Sequence, residues 1–280
     1  MPQSPNEAIS GAGIGLRSCH YQEILQTRPA VSWFEVLSEN YIADGGMPLH
    51  HLEQIRASYP VTLHGVGMSL GSSDPLNFDY LRRLRALVDQ FEPTYVSDHL
   101  AWVSIGGRYL HDLIPLPYTD ETLAHVADRV ARVQDFLKRR LLIENPAAYL
   151  SFQCSAMPEW DFLTRLVELT DCELLLDVNN VHVSAVNAGF DAAQYIHAVP
   201  RERVKEIHLA GYEVEQGYLF DTHGYRVHPP VWALYRETLR LLGPIPTLIE
   251  WDTDIPSLSV LMDEAQKAQA CIDRVQGPVR

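Results

Sequence analysis

Leu141-Leu142-Ile143-Glu144-Asn145 and Glu173-Leu174-Leu175-Leu176-Asp177 decide the fold. In both, the apolar residues follow one another without the alternation of a strand that keeps one face in water. Continuous apolar runs belong to strands covered on both faces, as in parallel sheets flanked by helices. Working outward from Leu141–Asn145 and Glu173–Asn179, similar runs recur at Gly11–Arg17, Trp33–Ser38, Val61–Gly67, Tyr95–Trp102, Val204–Gly211 and Thr247–Trp251. Amphipathic stretches separate them. The clearest, Asp120–Arg140, carries Leu123, Val126, Val130, Val133 and Leu137 at helical spacing. Asp120 and Glu121 fall in its first turn and Lys138, Arg139 and Arg140 in its last, which suits the helix dipole. Phe78–Phe91, Glu159–Leu169, Pro230–Leu242 and Leu258–Val275 read the same way.

Eight strand–helix units in 280 residues, about 35 residues each, predict a (β/α)8 TIM barrel. A doubly wound sheet fits less well, because the first strand-turn, Gly11–Arg17 (GAGIGLR), lacks the G-x-G-x-x-G pattern. No linker or low-complexity segment divides the chain. One domain over residues 1–280, with the barrel at about 11–276, is the expectation.

A barrel of this kind places its chemistry where its strands end. Strand three ends in His64, strand four in Asp98 and His99, strand five in Glu144 and Asn145. Strand six ends in Asp177, Asn179, Asn180 and His182. Strand seven ends in His208, with Asp221 and His223 in the following loop, and strand eight in Glu250 and Asp252. Any one of these alone reads as a structural histidine or a helix cap. Six successive strands ending in such residues read differently, because the ends converge on one rim. Packing those charges unpaired would cost several kcal/mol each, and metal ions relieve that cost. The donor set is His64, His99, Glu144, Asp177, His182, His208, Asp221, His223 and Glu250. Nine donors suit two or three ions that keep open positions, with Glu144 bridging. Donors of this type, with no cysteine among them, suit iron, manganese and zinc, and spacing does not choose among the three. Asp98 beside His99 and Asp252 after Glu250 are expected to orient ligand imidazoles, with Asn145, Asn179 and Asn180 supporting them. Asp98, Asn145 and Asn179 complete the expected catalytic set.

Composition narrows the partners. Lys and Arg number 22 against 36 Asp and Glu, a net charge of −14, which repels a phosphate backbone and argues against nucleic acid. No apolar run approaches the roughly 18 residues of a membrane span. The start, MPQSPNEAISGAG, has no export-signal pattern. Cys19, Cys154, Cys172 and Cys271 form neither a disulfide framework nor a zinc-thiolate motif. The chain reads as soluble and cytoplasmic.

Taken together, GIGLR, FEVLSENY, LHGVGMSLGS, SDHLAW, HDLIPLPYT, ENPAAYL, LLDVNNVHVSAVN, EIHLAGY, DTHG and IEWDTDIP resemble the multinuclear non-haem iron-dependent oxidases. That family matures ribosomally made peptides, including those leading to methanobactin, 3-thiaglutamate and the bufferins. The resemblance runs from about Gly11 to Pro256. It implies a barrel of the xylose-isomerase/endonuclease IV-like kind, with two or three irons held by the nine donors above. It also implies a mixed-valent Fe(II)/Fe(III) active form and dioxygen as co-substrate. One iron would hold a cysteine thiolate of the precursor peptide, its neighbour would activate dioxygen, and hydrogen would leave the cysteine β-carbon. A separately encoded partner protein would recruit the leader peptide.

The rivals are of other classes. A trinuclear zinc phosphodiesterase of the endonuclease IV type would use similar donors, but the acidic charge opposes it. A sugar isomerase would want a lysine near the metals, and none of Lys138, Lys205 and Lys267 lies at a strand's carboxyl end. A non-enzymatic metal-binding protein is the third reading, since a fold alone proves no chemistry.

Overall fold

The structure is a computed structural model that describes residues 8–42 and 45–277. The amino-terminal stretch read above for an export signal lies outside the described residues over positions 1–7. Eight parallel strands close a barrel: β1 (Ala12–Gly15), β2 (Phe34–Leu37), β3 (Val61–Gly65), β4 (Val96–His99), β7 (Leu142–Glu144), β8 (Glu173–Asp177), β9 (Val204–Leu209) and β12 (Thr247–Ile249). Their order around it is β1-β12-β9-β8-β7-β4-β3-β2. All eight fall within the apolar runs read from the sequence.

Two features were not expected. After β4 the chain makes an antiparallel hairpin, β5 (Trp102–Ile105) with β6 (Arg108–Ile114), and after β9 a second, β10 (Glu213–Glu215) with β11 (Tyr218–Phe220). Both stand on the side where the barrel strands end. Tyr109 and Ile105 of one, and Val214, Tyr218 and Phe220 of the other, are exposed.

Helices α1 (Tyr21–Thr27), α2 (Met47–Arg56), α3 (Phe78–Phe91), α4 (Asp120–Leu137), α5 (Glu159–Thr170), α6 (Val178–Ala188), α7 (Ala192–Ala198), α8 (Pro229–Leu242) and α9 (Leu258–Gln276) lie between and after the strands. The stripe of α4 is buried as its spacing predicts. Each such side chain contributes about 1.5–3 kcal/mol. The cap at its start, Thr119 Oγ1 accepting the Thr122 N–H at 3.1 Å, is worth about 1 kcal/mol. Packing therefore holds the helix more than its cap does.

The far end of α4 differs from expectation. Lys138 turns left-handed (φ 56°) and ends the helix at Leu137. The basic triplet therefore lies beyond the last turn, where Arg139 donates to the Pro93 carbonyl and Arg140 pairs with Asp171. None of the described helices is long and apolar enough to cross a membrane.

Candidate metal centre

Strand register brings the expected donors together. In a parallel pair, partnered residues point the same way. His99 is partnered with Glu144 across β4 and β7, and Asp177 with His208 across β8 and β9. His64 is partnered with Ser97 across β3 and β4. Glu250 follows β12 directly. Asp221 and His223 arrive on the loop after β11. That loop packs close because Gly211 carries no side chain; a Cβ there would meet the Tyr225 carbonyl oxygen at 2.3 Å. His223 itself is left-handed (φ 47°), a conformation that costs a non-glycine residue about 1–2 kcal/mol. Such strain persists where surrounding structure over-determines it, and it clusters at functional sites.

The donors form linked groups, each with its ligand atoms within 4.8 Å of one another. His64, His99 and Glu144 make one, and Glu144, Asp177, His208 and Glu250 the next. His223, Glu250 and Asp252 make another, and Asp221 Oδ1 lies 2.7 Å from His223 Nε2. Glu144 and Glu250 are each shared by adjoining groups. His64, His99, Asp221, His223, Glu250 and Asp252 border an open cavity of ≈410 Å³, whose wall also includes Arg17, Glu35, Val66 and Leu113.

Proton bookkeeping tests whether cations fit. His99 Nδ1 lies 3.2 Å from the Gly65 carbonyl, which can only accept, so Nδ1 carries the proton. His64 Nδ1 lies 2.8 Å from Ser97 Oγ, and that hydroxyl donates to the Leu63 carbonyl. Both rings therefore turn an Nε2 lone pair inward. Those two nitrogens lie 3.3 and 3.1 Å from Glu144 Oε2. Among the described residues, no hydrogen bond reaches that oxygen or Asp177 Oδ2. Two inward imidazole lone pairs beside an orphaned carboxylate oxygen make a set of donors that could hold a divalent cation.

The electrostatics agree. Burial, with His99 and His208 nearby, holds His64 well below the usual histidine range, and burial takes His99 down to about 4. Both are therefore neutral and ready to ligate. Burial pushes Glu144 well above the carboxylate range and Asp177 up to about 7. Burial opposes charge on His208 and His223 too, but the carboxylates around them outweigh it and hold both well above the usual range. Glu250, buried but facing those two histidines, is held well below.

Two of the nine expected donors, Asp221 and His182, fall in none of these groups, and of the two only Asp221 touches a grouped donor, His223. Asp177 caps α6, accepting the Asn180 N–H at 2.6 Å, so the helix begins at Val178. Its turn sets the His182 ring beside Tyr212, with ring centroids 5.4 Å apart. His182 belongs to none of the donor groups.

Of the expected catalytic set, Asp98 accepts the backbone N–H groups of Met68 and His99 rather than a ligand imidazole. Neighbours on a strand point to opposite faces. Asn145 pairs with both backbone groups of Asp177, at 2.9 and 3.0 Å, and Asn180 donates to the Asn145 carbonyl. Asn179 donates to Asp221 Oδ1 at 2.7 Å. Asp252 does meet an imidazole, His223 Nδ1, at 3.2 Å, and is itself held by Arg17.

The sequence reading missed Glu35 and Glu206. Both are buried, and they form a further group with His208. Burial pushes Glu206 up to about 8. The available signal was the two-residue step from Glu206 to His208, which places both on the same face of β9.

Among solved structures, the fold is similar to D-allulose 3-epimerase from Methylomonas sp. (TM-score 0.63, 13% identity, covering 96% of this chain and 98% of that one). It is also similar to endonuclease IV from Thermus thermophilus (TM-score 0.62, 16% identity, covering 94% and 99%). At those identities the likeness is one of fold. The molecule is thus a xylose isomerase-like TIM barrel with buried His/Glu/Asp clusters that could bind metal ions.

Sequence comparison goes further. The chain belongs to the family of RiPP precursor modification enzymes described as MbnB/TglH/ChrH, which matches residues 11–273. RiPPs are ribosomally made, post-translationally modified peptides, so the substrate class is a precursor peptide. Relatives include a UPF0276 protein of Acaryochloris marina, 61% identical over 261 residues (93% of this chain, 94% of the relative). Another, from Vibrio parahaemolyticus, is 45% identical over 271 residues (95% and 94%).

Proposed function

We propose that this protein is a multinuclear iron oxidase that uses dioxygen to modify cysteine residues of a ribosomally made precursor peptide. The observation that carries the reading is the chain of donor groups joined through Glu144 and Glu250 at an open cavity, in a member of a peptide-modifying family. His64, His99 and Glu144 would hold one iron. Glu144, Asp177, His208 and Glu250 would hold a second, and His223, Asp221 and Glu250 a third. Bound iron would supply the redox chemistry that couples dioxygen to cysteine oxidation.

The chain's own residues orient and shield. Ser97 and the Gly65 carbonyl fix the rings of His64 and His99. Asn145 fixes the end of β8, and with it Asp177. Arg17 holds Asp252 against His223. Leu37, Val66 and Leu113 give the cavity apolar walls, which limit water around a bound peptide side chain. The exposed aromatics of the hairpins, Tyr109, Tyr218 and Phe220, offer an extended peptide something to lie against. A separately encoded partner would present the leader, in the cytoplasm.

The test is anaerobic purification, metal counting and mass spectrometry of a cysteine-bearing precursor peptide encoded nearby. Iron-loaded protein should change the peptide's mass only when dioxygen is admitted. A zinc-only protein that cleaves abasic DNA would overturn the reading, as would a folded protein that takes up no transition metal.

A further inference from the structure

The group of Glu35, Glu206 and His208 carries two carboxylates that the proposed reaction does not use, and of the three Glu35 also lines the cavity. The His208 ring stands between two sets of oxygens. Its Nδ1 edge faces Glu250 Oε2 at 3.0 Å and Glu144 Oε1 at 3.6 Å. Its Nε2 edge faces Glu35 Oε2 at 3.3 Å and Glu206 Oε1 at 3.6 Å. His64 and His99 are oriented the other way round, with Nε2 toward the donors and Nδ1 anchored on a hydroxyl and a carbonyl.

We propose that Glu35 is a positioning residue for His208: its carboxylate accepts the Nε2 proton and so presents the Nδ1 lone pair to the metal held with Glu144, Asp177 and Glu250. The inference rests on the metal-centre reading above. With Nδ1 turned to the metal as a lone pair, the one proton of a neutral ring sits on Nε2, and the Glu35 oxygen 3.3 Å away accepts its hydrogen bond. A ligand imidazole whose far N–H meets a carboxylate is fixed in tautomer and orientation and is a more basic donor. Charge assistance makes this anchor stronger than the neutral ones that serve His64 and His99. Glu35 is itself held in place, because Thr62, its register partner on β3, donates to the same oxygen at 3.4 Å. Glu206 lies farther off, and among the described residues neither of its oxygens has a hydrogen-bond partner. Glu35 is therefore the anchor and Glu206 its neighbour. A cation inside this group would need the Nε2 lone pair while Nδ1 served the other metal, leaving the ring with no proton at all.

The test titrates metal-free wild type, Glu35→Leu and Glu35→Gln with cobalt(II) alone. Proton NMR of the cobalt forms, in water and in deuterium oxide, then reports the exchangeable ring N–H signals of the ligating histidines. Glu35→Leu should weaken one cobalt by about 10- to 100-fold, and one ring N–H signal should exchange faster or vanish. Glu35→Gln, whose amide oxygen still accepts the proton, should keep that signal and lose less affinity. It also serves as the probe if the leucine variant fails to fold.

Wild-type affinity together with unchanged N–H signals in both variants would overturn the proposal. So would the clean loss of one cobalt per chain with the others unaffected, since Glu35 would then be a ligand of its own cation. Wild type that binds no cobalt would overturn the metal-centre reading and this inference with it, a result distinct from either.

Discussion

Replacing Glu144 by Gln should leave the metal-free protein almost untouched and cripple the metal-loaded one. Burial raises the Glu144 carboxyl well above the usual carboxylate range, so without metal the site favours a neutral side chain over a charged one. Gln is then close to its isostere, and the metal-free Tm should move by no more than about 2–3 °C, equivalent to roughly 1 kcal/mol. With metal the balance reverses, because Oε2 belongs to the group of His64 and His99 while Oε1 faces His208. One substitution therefore weakens two groups. A site filled at 100 times its Kd stabilises the fold by about 2.7 kcal/mol. Two sites give about 5 kcal/mol, or about 10 °C in Tm for a chain of this size. Wild type should show that rise when iron(II) is added anaerobically, and E144Q should lose most of it. Thermal melts with and without iron, read beside metal counts, decide the matter. An E144Q protein that keeps both the iron count and the full rise in Tm would refute the bridging role.

Three further outcomes follow from the geometry. His182→Gln should keep the wild-type metal count, because the ring packs on Tyr212 and belongs to none of the donor groups; loss of one metal would restore it as a ligand. Asn145→Ala leaves the buried N–H and carbonyl of Asp177 without their partner, which should cost about 1–3 kcal/mol in a denaturant titration and lower occupancy of the group containing Asp177. Gly13→Ala would set a Cβ 2.5 Å from the buried Trp33 indole, and overpacking of this kind should cost about 1–3 kcal/mol, measured as a drop in Tm with the metal count unchanged.

The barrel was legible because burial on both faces writes uninterrupted apolar runs, and such runs are what Leu141-Leu142-Ile143 and Leu174-Leu175-Leu176 display. The hairpins were not legible. The Arg108–Ile114 strand mixes charged and apolar residues without a clean alternation, so it reads as loop. Donors at strand ends could be collected because a closed barrel brings those ends together whatever their distance along the chain. His182 shows the limit of that reasoning. Val178 to His182 looks like a continuation of β8, but the cap formed by Asp177 starts a helix there, and about 100° of turn per residue replaces the strand's alternation. Glu35 and Glu206 escaped for the opposite reason. They sit inside the strands, Glu35 between Phe34 and Val36 and Glu206 two positions before His208, and not at the ends that converge on the rim.

The sharing of Glu144 and Glu250 has a consequence for how the protein fills. Since each links adjoining nests of ligands, no nest can be loaded or emptied without redistributing negative charge in the one beside it. Metal uptake would then be a ladder of dependent steps rather than a set of independent equilibria.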